Sequence, residues 1–328
     1  MIKPVLIKVL CEQPDDAAKG LTSEKVRMKI LLTFPGQGPQ RAGMLQQLPA
    51  GDEILRQASE VLGEEAAALD SAEALRHTRA VQLCLLIAGV AHARALQDRG
   101  LFADMTCGLS IGAYPAAVIA GALAFEDALR LVSLRGELME QAYPHGYGLT
   151  AIIGLTLSQL EPLLDEQSWI ANINAEQQLV IAGSDAAMQR VAEKALAAGA
   201  QKTHRLAVSV PSHCALLAKP AEKLAEAFKS ITLSRPRCAY LSGSSGRVVW
   251  QPEQIADDLA FNMSRTVRWH EAMIAANERE VRLAIEMPPG VVLTGLTRQA
   301  FSEGEALSLE QGGSDLALTL AKRLRNQQ

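Results

Sequence analysis

Apolar positions run along the chain in two rhythms, short unbroken clusters and longer stretches with helical spacing. Residues 30–34 read Ile-Leu-Leu-Thr-Phe, a run of the kind expected for a strand buried on both faces. Residues 80–99 predict a long apolar helix, 105–109 a short strand, 113–122 a small-residue helix and 125–142 a further helix. Strands separated by helices in this way predict a parallel sheet with helices on both faces.

The rhythm changes further on. Residues 149–155 predict a strand, 157–166 a helix, and 169–174 and 178–182 two strands. A helix over 185–198 is opened by Ser184 as N-cap and closed by Gly199, and a strand covers 202–208. This βαββαβ order is the ferredoxin-like unit. It predicts a small subdomain at 148–209 inserted into a large α/β domain made of 28–147 and 210–328. After Pro211 the α/β pattern resumes, with helices at 218–229, 254–262 and 266–277, strands at 238–242 and 281–287, and a closing amphipathic helix at 316–325. A site is expected in the groove between the two domains.

Residues 1–27 differ, with Pro4, Pro14, Asp15, Asp16 and mixed charge from Lys19 onward, and they lack a secretory signal pattern. They are expected to be an extension outside the core, with Met28 as the functional start; an edge strand at 5–10 is the alternative. The length of 328 residues suits about two domains. A hydrophobic fraction of 48% is ample for a packed core. The longest apolar runs, such as 83–90, fall short of the roughly 20 residues of a spanning helix, so no membrane segment is expected. A net charge of −4 gives no electrostatic reason to expect nucleic acid. Cys11, Cys84, Cys107, Cys214 and Cys238 are scattered, with no C-x-x-C pair, and no His spacing suits a metal, which points to a cytoplasmic setting without a structural metal.

Gly108-Leu109-Ser110-Ile111-Gly112 fits G-x-S-x-G between a predicted strand and helix. That context suits a nucleophile elbow and an α/β-hydrolase-like large domain; a plain turn with a capping Ser is the alternative. Arg135 is flanked at helical spacing by Leu131, Val132, Leu138 and Met139, so its guanidinium leaves an apolar face and needs an anion. A bidentate grip on a substrate carboxylate competes here with snorkelling or an internal salt bridge. His213 lies at the junction of the two domains in Val210-Pro211-Ser212-His213-Cys214, placed to act as a general base, with Cys214 a competing nucleophile. Gly36-Gln37-Gly38-Pro39-Gln40 lacks a P-loop Lys but follows a strand of the same sheet, where it can lend an N–H to an oxyanion hole.

Together these segments resemble the malonyl-CoA:acyl-carrier-protein transacylase family, over about residues 30–300. The resemblance includes Phe34-Pro35-Gly36-Gln37-Gly38, the elbow, Arg135-Gly136 with Met139, Val180-Ile181-Ala182-Gly183, the His213 segment, and Pro289-Gly290-Val291-Val292-Leu293-Thr294-Gly295-Leu296-Thr297. It implies Ser110 as nucleophile, His213 as its base, Arg135 as the partner of the malonyl carboxylate, and the N–H groups of Gln37 and Ile111 as the oxyanion hole. Asn262, seven residues before Trp269, stands where a Gln commonly orients the catalytic His through its backbone carbonyl. The implied reaction is transfer of malonyl from malonyl-CoA to a pantetheine-type thiol on an acyl carrier protein, with no bound cofactor.

Leu109, Ile111 and Ala113 replace the usual His, Leu and Glu of the elbow, and Pro39 replaces a Ser. The run from Gly108 to Ala117 looks like the malonate decarboxylase epsilon subunit, which implies other subunits of that enzyme as partners. The alternatives are a fatty-acid synthase transacylase, a serine hydrolase and a catalytically silent carrier-docking subunit. Arg190, Lys194, Lys202 and Arg205 are candidates for a basic rim facing an acidic carrier, against an ordinary solvated face.

Overall fold

The computed structural model describes residues 27–143 and 145–326. Expectations for residues 1–26, including a strand at 5–10, lie outside the described residues; Arg27 pairs with Asp104 at 2.9 Å. From β1 (Lys29–Phe34) the chain passes through α1 (Gly51–Leu62), α2 (Thr78–Asp98), β2 (Met105–Gly108), α3 (Ala113–Ile119) and α4 (Phe125–Ala142). Next come β3 (Tyr147–Ile153), α5 (Leu157–Leu160), β4 (Ser168–Ala175), β5 (Gln178–Ser184), α6 (Asp185–Ala197) and β6 (Lys202–Arg205). The remainder is α7 (Ala218–Phe228), β7 (Ala239–Leu241), β8 (Val248–Val249), α8 (Pro252–Phe261), α9 (Trp269–Glu278), β9 (Val281–Glu286), α10 (Val292–Ala300), β10 (Glu305–Ser308) and α11 (Leu309–Asn326).

Two sheets result. The larger has the order β10-β9-β1-β2-β7-β8, parallel except at its edge, where β8 runs antiparallel to β7. The smaller is wholly antiparallel in the order β4-β5-β3-β6, the ferredoxin-like arrangement. Alternate residues of β1 explain the layers: Ile30, Leu32 and Phe34 enter a core with α2, α3 and α4, while Leu31 enters a second core with α9 and α10. Helix α2 has 21 residues and a mean hydropathy of 1.4 in its most apolar window, long and apolar enough to span a membrane, yet 78% of that window is buried in the protein. The expectation that no segment reaches spanning length is corrected on this point, because Ala91, Ala93 and Leu96 carry the buried apolar stretch on past Val90 in one core helix.

Several elements differ from the sequence pattern. The strand expected at 202–208 stops at Arg205, whose guanidinium bonds the carbonyls of Leu149 and Tyr147. The helix expected at 157–166 is one short α-turn, capped by Thr156 and Gln159, that tightens into a 3-10 turn at Glu161–Leu163. The closing helix begins earlier, at Leu309, and is broken by Gly313 at φ 73°. Ser184 does cap α6, accepting from the N–H of Ala187 at 3.3 Å.

Candidate active site

The carboxyl ends of β1 and β2 lie side by side, and the loops after them carry Gln37 and Ser110. Ser110 follows β2 at φ +57°, in the left-handed region, which is the sharp strand-to-helix turn a nucleophile elbow requires. The flanking glycines are there for space. A Cβ on Gly108 would fall 1.9 Å from the carbonyl carbon of Gly112, and a Cβ on Gly112 would fall 2.2 Å from the Phe34 oxygen. Neither the Gln37 nor the Ile111 N–H hydrogen bonds to a group among the described residues. Both remain available to an oxyanion.

His213 reaches Ser110 from the other side of the chain. Its backbone is also left-handed, at φ +66°, and its N–H bonds the Met263 carbonyl at 2.6 Å. The ring Nε2 lies 2.8 Å from Ser110 Oγ. Nδ1 faces the backbone carbonyls of Asn262 at 2.8 Å and Arg265 at 3.2 Å. Carbonyls only accept, so the network assigns the proton to Nδ1 and leaves the Nε2 lone pair toward the hydroxyl. Burial, then the charge of Arg135, pulls the imidazole pKa down to about 4. The ring is therefore neutral at ordinary pH and can take a proton from Ser110.

Arg135 is fully buried, and both competing sequence readings fail: it does not snorkel, and its hydrogen-bond partners are all neutral. Nη1 donates to Gln82 Oε1 at 2.8 Å, while Nη2 donates to Asn262 Oδ1 at 3.0 Å and Ser110 Oγ at 3.2 Å. Among the described residues, Nε–H has no partner. The Tyr114 ring lies 5.9 Å from the guanidinium carbon, and the Tyr114 hydroxyl donates to the Leu259 carbonyl at 2.8 Å. Desolvation lowers the guanidinium pKa to about 10, which still leaves it charged. A buried cation beside Ser110, with a free N–H and no counter-charge among its partners, can receive an anionic group of a molecule bound against Ser110.

Gly136 explains how Arg135 gets there. A Cβ on it would come within 2.4 Å of Arg79 Cα, so α4 packs directly on the backbone of α2 and brings Arg135 to Gln82 one turn on. Gln82 was not singled out in the sequence, although the signal was present: one amide in the apolar stretch of α2, fully buried. Its Nε2 donates to Gln37 Oε1 at 3.2 Å and to Met139 Sδ at 3.4 Å. Cys214, the competing nucleophile, is buried, donates to the Pro211 carbonyl, and has its thiol pushed up to about 11 by burial. That excludes it as a ready thiolate. Asp258, one turn before Asn262, is held by Tyr240 and Ser242 and hydrogen bonds neither Arg135 nor His213.

A cavity of about 350 Å³ opens at Gln37, between Thr78 and Val81 of α2 and Leu206, Val208 and Ser209 after β6. Of the basic rim, Arg190 pairs with Asp165 at 2.7 Å, Arg205 with Asp185 at 2.8 Å, and Lys194 reaches the Leu163 carbonyl at 3.4 Å. These contacts favour the solvated-face reading over a free basic patch. Among the described residues, no cluster of three or more His, Cys, Asp or Glu side chains suits a metal.

The family described as acyl transferase domain matches residues 32–322. The chain is similar to the malonyl CoA-acyl carrier protein transacylase of Haemophilus influenzae, with 37% identity over 303 residues, covering 87% of this chain and 96% of the relative. The transacylase of the same name from Escherichia coli is 36% identical, covering 86% and 96%. Among solved structures, FabD of Acinetobacter baumannii superposes with a TM-score of 0.85 at 31% identity, covering 90% of this chain and 99% of that one. A malonyl-transacylase in complex with its type II polyketide synthase acyl-carrier protein gives 0.83 at 35% identity, covering 90% and 99%.

These relatives correct the expected assignment to the malonate decarboxylase epsilon subunit, a name none of them bears. The reason lies in the elbow. Ile111 and Ala113 are buried in the main core, and Leu109 packs on the second core beside Gly36. Buried side chains report packing around the turn and say nothing about which carrier docks outside.

Proposed function

The chain belongs to the acyl transferase family as an enzyme of the malonyl-CoA:acyl-carrier-protein S-malonyltransferase type, and within it we propose that Ser110 carries the malonyl group. The observation that carries the proposal is Arg135, buried, without an anionic partner among the described residues, and 3.2 Å from Ser110 Oγ. In the first half-reaction His213 Nε2 takes the hydroxyl proton as Oγ attacks the malonyl thioester carbon. The oxyanion receives the N–H groups of Gln37 and Ile111, and the malonyl carboxylate lies on Arg135. Collapse breaks the C–S bond, and the CoA sulfur leaves with the proton from His213. In the second half the thiol of a carrier's pantetheine arm gives its proton to His213 and attacks the acyl-serine carbon. The C–O bond breaks, Ser110 regains the proton, and the malonyl thioester departs.

Asn262 orients the base in this scheme through its carbonyl, in place of an acidic triad member. The cavity at Gln37 suits the pantetheine arm. We assign the acceptor to a free-standing acyl carrier protein of fatty-acid type, because relatives of nearly the same length are transacylases named for an acyl carrier protein. The free thiols of Cys84, Cys107, Cys214 and Cys238 accord with a cytoplasmic site of action. The test offers purified fatty-acid and polyketide carriers side by side with malonyl-CoA. Faster transfer to the fatty-acid carrier supports the assignment, and preference for the polyketide carrier overturns it. A serine hydrolase would instead lose the acyl group to water without any carrier thiol.

A further inference from the structure

We infer that the side chain of Asn262 is a positioning residue for acyl selectivity, holding Arg135 in place for a substrate carboxylate without neutralising it. Three bonds converge on this one residue. Its Oδ1 accepts from Arg135 Nη2 at 3.0 Å, and its Nδ2 donates to the Ser110 carbonyl at 3.2 Å. Its own carbonyl accepts from His213 Nδ1 at 2.8 Å. Asn262 is itself buried, so these bonds do not compete with bulk water.

The chemistry of the amide matters as much as its place. Gln82 and Asn262 each accept from one Nη of Arg135, and both are neutral. A guanidinium held by two amides has a fixed orientation and keeps its full charge. A carboxylate in either position would make a buried ion pair and satisfy the cation internally. The amide also ties this arm to the backbone of Ser110, so the charge and the nucleophile keep a fixed separation. The positioning role belongs to the side chain and is distinct from the carbonyl that orients His213. It rests on the reading that Arg135 receives the malonyl carboxylate.

The test compares Asn262→Asp, Asn262→Ala and Asn262→Gln in the full chain, measuring acylation with malonyl-CoA and acetyl-CoA together with thermal melts. In Asn262→Asp the added carboxylate neutralises Arg135 and repels malonyl. KM for malonyl-CoA is expected to rise roughly 100-fold or more, while KM for acetyl-CoA changes only a few-fold. In Asn262→Ala the guanidinium is free but less ordered, and the malonyl-over-acetyl ratio falls about tenfold. Asn262→Gln restores most of it. The inference is overturned if Asn262→Asp keeps the malonyl preference, or if all variants slow both substrates equally. Should Asn262→Asp fail to fold, loss of preference in the Ala variant with recovery in the Gln variant supports the inference, and no recovery overturns it. Arg135→Leu separates the two levels. Intact malonyl preference there removes the reading of Arg135 itself; lost preference there, with unchanged preference in the Asn262 variants, removes only the role of Asn262.

Discussion

Replacing Arg135 by leucine is predicted to abolish the preference for malonyl over acetyl while leaving the fold intact. The guanidinium is fully buried and its partners are the neutral groups Gln82, Asn262 and Ser110. A substrate carboxylate arriving at about 4 Å, at an effective dielectric constant of about 20, gains roughly 4 kcal/mol. That falls inside the 2–5 kcal/mol typical of truncating one partner of a buried charge pair, or about 30-fold to several thousand-fold in kcat/KM. Acetyl-CoA offers no carboxylate, so its rate is expected to change only a few-fold. Stability moves the other way from an ordinary salt-bridge deletion. Burial already lowers the guanidinium pKa to about 10, so removing it relieves a desolvation cost. The amides of Gln82 and Asn262 lose a partner, which offsets that gain. The melting temperature is therefore expected to stay within about 4 °C of the parent. The assay is single-turnover acylation with each thioester, followed by a thermal melt. An unchanged malonyl-to-acetyl ratio refutes the reasoning, as does an equal collapse of both rates.

His213→Ala is expected to slow acylation about 10²–10⁴-fold, read by quenched flow; a parent-like rate removes His213 from the reaction. The pH profile of kcat/KM should be flat from about pH 5 upward and fall tenfold per unit below about 4, the value to which burial and Arg135 pull His213. A break near 6.5 would contradict the buried, cation-adjacent ring. The matching stability effect has a definite sign. The unfolded chain takes up this proton first, so the contribution of His213 is full above about pH 6.5 and is lost as the pH falls toward 4. Gly108→Ala places a Cβ 1.9 Å from the Gly112 carbonyl carbon and is expected to cost at least about 1–3 kcal/mol, with loss of acylation; a parent-like melt and rate would show the turn is looser than described.

What the sequence disclosed depended on whether a residue's role is local. The elbow is legible because its glycines are demanded by atoms within the same turn. Arg135 is conspicuous because a cation breaks an apolar helix face, although only packing shows that its hydrogen-bond partners among the described residues are all neutral. Gln82 obeys the same logic and was missed, since an amide inside an apolar helix is a quieter anomaly than a charge. The carbonyls of Asn262 and Arg265 that hold His213 have no signature of their own, because every residue has a carbonyl and only the turn decides where it points; Asn262 is reached through the family resemblance alone, and Arg265 not at all. Helix α1 buries only Ile54 and Ala58, so its pattern stays mostly polar. Strands β8 and β10 are too short to show a period. The branch assignment fails for a related reason: it rests on the likeness of the run from Gly108 to Ala117, whose Ile111 and Ala113 are buried beneath the elbow and answer to packing.

The proposed reaction turns on a malonyl group carried by Ser110 and retained until a carrier thiol arrives. The most direct measurement is intact-protein mass spectrometry after brief mixing with malonyl-CoA, with the parent and Ser110→Ala compared. The expected result is one malonyl adduct on the parent, mapped to the peptide that holds Ser110, absent from Ser110→Ala and discharged by a carrier thiol. An adduct that persists in Ser110→Ala, or a parent that transfers malonyl without acquiring one, would contradict it.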